Sequence, residues 1–139
     1  MGILTYSPLA GGWLSGRWSA EATPTSPARQ RLVARFDMSL PENRRKLEAT
    51  EALGTLADEA GLSLIELAIA FVVNHPAVTS AIIGPRTMEQ LDTQLPSADV
   101  TLDAALLDRI DEIVRPGVNL NPADTSYGEQ VLQPALRRR

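Results

Sequence analysis

The sequence predicts an α/β fold with a parallel sheet. Two short apolar runs rich in β-branched residues, Gly2–Tyr6 and Ala77–Ile83, read as buried strands. Helical stretches separate them, and strands joined through helices pair in parallel with right-handed crossovers. The second run stops at Gly84-Pro85 and a capped helix begins at once, a strand–turn–helix passage common to such folds.

The totals set bounds on function. At 139 residues, with 44% apolar and 22% charged side chains, this is one domain's worth of globular chain rather than a disordered one. A net charge of −4 argues against a general binder of nucleic acid or anionic membranes. Cysteine is absent, which excludes disulfides, thiolate metal sites and a cysteine nucleophile. No run is long and apolar enough to span a bilayer, and the start lacks a signal-peptide layout, so a cytoplasmic setting is expected.

After the first strand comes Ser7-Pro8-Leu9-Ala10-Gly11-Gly12-Trp13-Leu14-Ser15-Gly16. Its three glycines allow positive φ angles and let a ligand approach the backbone closely. Consecutive N–H groups here form either an anion-binding nest or a plain glycine-rich turn. From Arg17 to about Pro41 no periodicity holds, and Pro24 and Pro27 break any helix, so a long loop is expected. Arg29, Arg31 and Arg35 either help hold an anion or, the preferred reading, form a solvated charged face.

A helix is then expected from about Glu42 to Ala60. Ala49, Ala52, Leu53, Leu56, Ala57 and Ala60 form one apolar stripe, and Gly61 closes the helix as a C′ residue. Ser63 and Glu66 open a second helix with an S-x-x-E capping box. Leu64-Ile65 and Leu67–Val73 are apolar almost all round, so that helix should be deeply buried until Asn74-His75-Pro76 ends it.

Beyond the second strand, Thr87 and Gln90 have the T-x-x-Q spacing of a capping box, with Leu91 and Leu95 on the buried side. Arg86 then lies beside free backbone N–H groups at a positive dipole end, a place for a phosphate. The alternative is an ordinary connection with a solvated arginine. Asp103 caps a last helix that turns Leu106, Leu107, Ile110, Ile113 and Val114 inward, and Arg115-Pro116-Gly117 stops it. Two strands are too few to bury these helices, and the chain starts in mid-strand with only Met1 before it. The expectation is part of a larger unit.

Both loops together carry a specific resemblance. Tyr6 to Gly16 resembles the segment at the seventh strand of an aldo-keto reductase barrel, and Ile82-Ile83-Gly84-Pro85-Arg86-Thr87-Met88-Glu89-Gln90-Leu91 resembles that family's eighth strand and following helix. The likeness runs from Gly2 to about Gly117. It implies a partial (β/α)8 TIM barrel over residues 1–117, with two parallel strands and about four helices, followed by a loosely held polar tail over 118–139. It also implies a nicotinamide dinucleotide, NADP (NADPH) rather than NAD. By position, Tyr6 would stack on the nicotinamide. Ser7 and Leu9, with the backbone through Gly11, Gly12, Leu14, Ser15 and Gly16, would hold the pyrophosphate. Gly84, Arg86, Thr87 and Gln90 would surround the adenosine 2′-phosphate, with Gln94 near the adenine, where many relatives carry asparagine.

The same resemblance implies that the family's aspartate, tyrosine, lysine and histidine for proton transfer come from earlier strands not found here. Lys46, on a covering helix, and His75, in the turn entering the second strand, are expected to be structural; Tyr127 lies in the tail without a visible partner. Trp13 and Trp18 either wall a substrate pocket or pack under the loop. Three readings follow. The first is a cofactor-binding portion of a reductase of aldehydes and ketones, inactive alone. The second is a module that completes a barrel with an N-terminal fragment or with copies of itself. The third is a remnant or piece of a longer chain.

Overall fold

A computed structural model describes residues 2–19 and 31–125. Pro24, Pro27, Arg29, Tyr127 and the terminal arginines lie outside them. The order is strand β1 (Leu4–Tyr6), a 3-10 turn (Ala10–Gly12) and helix α1 (Val33–Phe36). Helices α2 (Pro41–Glu59) and α3 (Leu64–Val73) lead to strand β2 (Ser80–Ile82), followed by α4 (Met88–Gln94) and α5 (Ala104–Ile113). The α/β class with two parallel strands holds, with five α-helices among the described residues.

Local chemistry sets the helix ends. Pro41 occupies the first turn of α2, where its missing N–H costs nothing. At the other end Gly61 takes φ +71°; its N–H donates to the Asp58 carbonyl and the Leu62 N–H to the Ala57 carbonyl, at 3.0 and 2.9 Å. Those are the two bonds of a Schellman stop. The Ser63 capping box forms as expected, and the side chains of Thr87 and Asp103 cap α4 and α5.

The apolar core lies among the helices. Leu56 and Ala57 of α2, Leu67 and Ala70 of α3, Leu102, and Ile110 of α5 form it, with Leu53, Leu62, Leu106, Leu107 and Ile113 against it. Two expectations change here. Ala52 and Ala60 are exposed, so the apolar stripe of α2 is buried only around Leu56, and the buried face of its first half is polar: Asn43, Lys46 and Thr50. Helix α3 buries Leu67 to Ala70 but leaves Phe71 exposed. Asn74, just past α3, donates to the Val100 carbonyl and accepts from the Leu102 N–H, both at 2.9 Å, which ties α3 to the approach of α5.

The strands differ most from expectation. They pair in parallel with Leu4 opposite Ser80, Thr5 opposite Ala81 and Tyr6 opposite Ile82. Only the middle pair is half-buried, so one face alone is covered. Leu4, Tyr6 and Ile82 are 65, 68 and 54% exposed. A strand buried on both faces needs a layer on each, and among the described residues the helices supply one.

Further expectations give way to packing. The long loop before Pro41 contains α1, and Arg35 is no solvated cation: its Nε donates to the Ala123 carbonyl at 2.7 Å. Residues 119–125, expected to be loose, dock on α1 and α2 through Asn121, which is buried, and through a 3-10 turn at Pro122–Asp124. Trp13 and Trp18 pack under the loop, their rings stacked 3.9 Å apart. Leu95 is exposed where the sequence placed it inward. No helix of the described residues is long and apolar enough to cross a membrane.

Candidate functional site

Parallel pairing decides where the two motifs go. Because Tyr6 and Ile82 are register partners and close their strands, both following loops leave the same edge of the sheet. Adjacent strands lie about 4.8 Å apart, so Ser7–Gly16 and Ile83–Thr87 start as neighbours. His75 lies at the opposite edge, where its Nδ1 accepts from the Ala77 N–H at 3.1 Å and shapes the turn into β2.

The first loop has the backbone its glycines foretell. Gly11, Gly12 and Gly16 adopt φ of +67, +97 and +70°, and the non-glycine residues Ser7 and Ala10 join them at +59 and +49°. A non-glycine residue in that region is uncommon and strained. The loop's amides turn inward: Gly12 and Leu14 donate to the Leu9 carbonyl at 2.8 and 3.3 Å, Trp13 to Ala10 and Ser15 to Gly12. Bonds of 3.3–3.4 Å are longer and weaker than the usual range of about 2.7–3.2 Å. Tyr6, Ser7 and Gly16 are exposed, and Leu9, Leu14 and Ser15 half-buried.

In the second loop Arg86 and Thr87 are exposed and meet Gln90. The Thr87 hydroxyl accepts the Gln90 N–H at 3.2 Å. Instead of completing the expected box on Thr87, the Gln90 carboxamide oxygen accepts the Arg86 N–H at 2.8 Å. One donor that an anion would use is thus held by a side chain. Among the described residues, no atom beyond the glycine and its two chain neighbours lies within 4 Å of where a Cβ would stand at Gly84 or Gly16, so the backbone is open to approach at both. Gln94 is 7% exposed and has little surface left for a base. Arg86 and Thr87 thus present an exposed guanidinium and hydroxyl on one loop, and Tyr6, 68% exposed, ends the strand that leads into the other.

Sequence reasoning missed a buried polar cluster beneath the first loop. Lys46 Nζ donates to the Arg35 carbonyl at 2.8 Å and to both Asp124 oxygens at 2.9 and 3.1 Å, and it sits 4.5 Å from the centre of the Trp13 ring. Burial holds the Lys46 ammonium below the usual lysine range, an effect that Asp124 opposes. Asn43, Lys46 and Thr50 recur at helical spacing, and that polar stripe was the available signal. Among the described residues no group of three or more His, Asp or Glu could hold a metal ion.

Both loops fall inside a match to a known family. The sequence profile of the Aldo/keto reductase family matches residues 1–115. An uncharacterized oxidoreductase of Bacillus subtilis (strain 168), YrpG, is 34% identical over 113 residues, 81% of this chain and 32% of that protein. A probable voltage-gated potassium channel subunit beta of Arabidopsis thaliana is 31% identical over 124 residues, 83% of this chain and 36% of that protein. Protein tas of Escherichia coli (strain K12) is 34% identical over 111 residues, 80% of this chain and 31% of that protein. The chain spans about a third of the length of these relatives. It belongs to the aldo/keto reductase family.

Proposed function

We propose that this chain supplies the phosphate-gripping side of an NADP-dependent oxidoreductase site. One observation carries the reading: the parallel register of Tyr6 and Ile82, which sends both loops off one edge of the sheet. Barrels of this class commonly bind phosphate at loops in that position. Arg86 would pair with the adenosine 2′-phosphate, its planar guanidinium suited to a phosphate face, and Thr87 would donate its hydroxyl. Occupancy would release the Arg86 N–H from Gln90. The amides of Gly11–Gly16, with Ser7 and Leu9, would turn to the pyrophosphate, and Tyr6 would offer its ring to the nicotinamide. When bound, NADPH supplies the hydride that reduces an aldehyde or ketone. The proton donor would come from outside these residues, so the chain alone is inactive.

The test is a fluorescence titration of the 139-residue chain with NADPH and NADH. Arg86→Ala should weaken NADPH by about tenfold to a hundredfold, the worth of one charged hydrogen bond, and leave NADH nearly unchanged. Equal losses for both cofactors would refute the assignment of Arg86 to the 2′-phosphate. Turnover of aldehydes by the chain alone would refute its inactivity.

The bare sheet favours a second reading alongside the first. Leu4, Tyr6 and Ile82 expose one face of a parallel sheet, and such sheets are normally covered on both. In a (β/α)8 barrel that face would meet the remaining strands, supplied by a longer chain, a partner fragment or further copies. Light scattering during size-exclusion chromatography tests self-completion, and a strict monomer at high concentration excludes it.

A further inference from the structure

We infer that Asp124 and Lys46 set the shape of the Ser7–Gly16 loop through the Trp13 indole, which makes both positioning residues for whatever anion the loop takes. The choice of a dinucleotide as that anion rests on the function proposed above; the control of the loop does not.

Trp13 anchors the loop. It is 3% exposed, whereas the rest of the Ser7–Gly16 stretch is half-buried or open. Its Nε1 is buried, and no described residue supplies it with a hydrogen-bond acceptor. What holds it is stacking and charge. Trp18 stacks on it at 3.9 Å and 15°, Phe36 lies 5.9 Å away at 7°, and the Lys46 ammonium stands 4.5 Å from the ring centre. A desolvated cation over an indole is attracted by the ring quadrupole, and the attraction depends on where the cation is held.

The carboxylate of Asp124 holds it there. With both oxygens of Asp124 and the Arg35 carbonyl as acceptors, all three Lys46 donors have oxygen partners nearby. The turn that presents Asp124 is itself fixed. Asn121 donates to the Ala34 carbonyl at 3.0 Å and to Asn43 at 2.7 Å and accepts the Ala123 N–H at 2.8 Å, while Arg35 Nε reaches the Ala123 carbonyl. Asn43 closes the set on the Ala34 and Asp37 carbonyls. Residues 119–125 are therefore a clasp. They fix the ammonium, the ammonium faces the indole, and the indole follows directly on the left-handed run Ala10–Gly12. A neutral amide at position 124 leaves the buried cation without its counter-charge. The cation then moves toward water, and the indole loses the charge that fixes its place against Trp18 and Phe36.

Trp13 and Trp18 are the only two tryptophans of the chain. Their stacked rings should give an exciton couplet in the ultraviolet circular dichroism, a direct reading of the anchor. In the full 139-residue chain, Asp124→Asn should abolish the couplet. It should also speed hydrogen exchange at Gly12–Ser15 by at least tenfold and leave α3 and α5 unchanged. Asp124→Glu should restore both signals, Lys46→Met should copy Asp124→Asn, and the double variant should be no worse than either alone. Arg109→Ala, at the exposed pair with Glu59, should change nothing. In an NADPH titration Asp124→Asn should lose at least fivefold in affinity, and Asp124→Glu should not. An unchanged couplet, or exchange that rises equally in α3 and α5, overturns the inference. If the wild-type chain takes up no NADPH, the dinucleotide reading falls, and couplet and exchange still decide on the clasp.

Discussion

Tyr6 and Ile82 sit side by side at the ends of β1 and β2, and both are more than half exposed. The pair that directs the two loops to one edge is also part of an uncovered apolar ladder. An exposed side chain contributes little to the stability of its own chain, so Ile82→Thr should shift the unfolding free energy by no more than about 0.5 kcal/mol in urea. It should also reduce self-association seen by light scattering. A loss above about 2 kcal/mol would mean that this chain already covers the ladder.

Leu56 is buried where α2, α3 and α5 meet. Leu56→Ala should cost about 2–5 kcal/mol, the usual toll for a leucine cavity that only partly collapses. An unfolding free energy in urea within about 1 kcal/mol of wild type would place the core elsewhere.

Glu66 gives an acid-side signature. Its carboxylate accepts the Ser63 N–H at 2.8 Å and the Ser63 hydroxyl at 2.7 Å, which holds its pKa below the ordinary glutamate range. The folded state therefore binds the proton more weakly than the unfolded one. The stabilisation is complete above about pH 4.3 and fades as pH falls through the lowered folded value. Glu66→Gln should flatten that acid limb. Ser63→Ala should cost about 1 kcal/mol at neutral pH, read from the urea midpoint.

Ala10 holds a φ of +49°, which glycine adopts freely and alanine does not. Ala10→Gly should stabilise the chain by up to about 1 kcal/mol, with the relief of strain partly offset by a more flexible unfolded chain. A lower melting temperature for Ala10→Gly would show that the methyl group makes a contact worth more than the strain.

The legible parts of the sequence were those written in local chemistry. Ser63, Thr87 and Asp103 cap their helices because a cap needs only its neighbours three residues on, and Gly61 ends α2 for the same reason. The positive φ of Gly11, Gly12 and Gly16 was likewise announced by composition. Long-range pairing was not. Nothing near Asp124 in sequence points to Lys46, 78 residues earlier, so the docking of the 119–125 stretch escaped notice. Exposure of Leu4 and Ile82 was missed because an apolar run shows what a strand would prefer to touch, not whether its neighbour is there. At the site, the loops were legible as motifs, whereas the capture of the Arg86 amide by Gln90 depends on a rotamer.

The Asn74 side chain, bonded to both Val100 and Leu102, ties the end of α3 to the segment that enters α5, and the core cluster that α2, α3 and α5 share draws on neither β1 nor β2. The contacts that unite the helices and the contacts that unite the strands therefore draw on different residues, so a substitution at Leu56 and one at Ile82 should act independently.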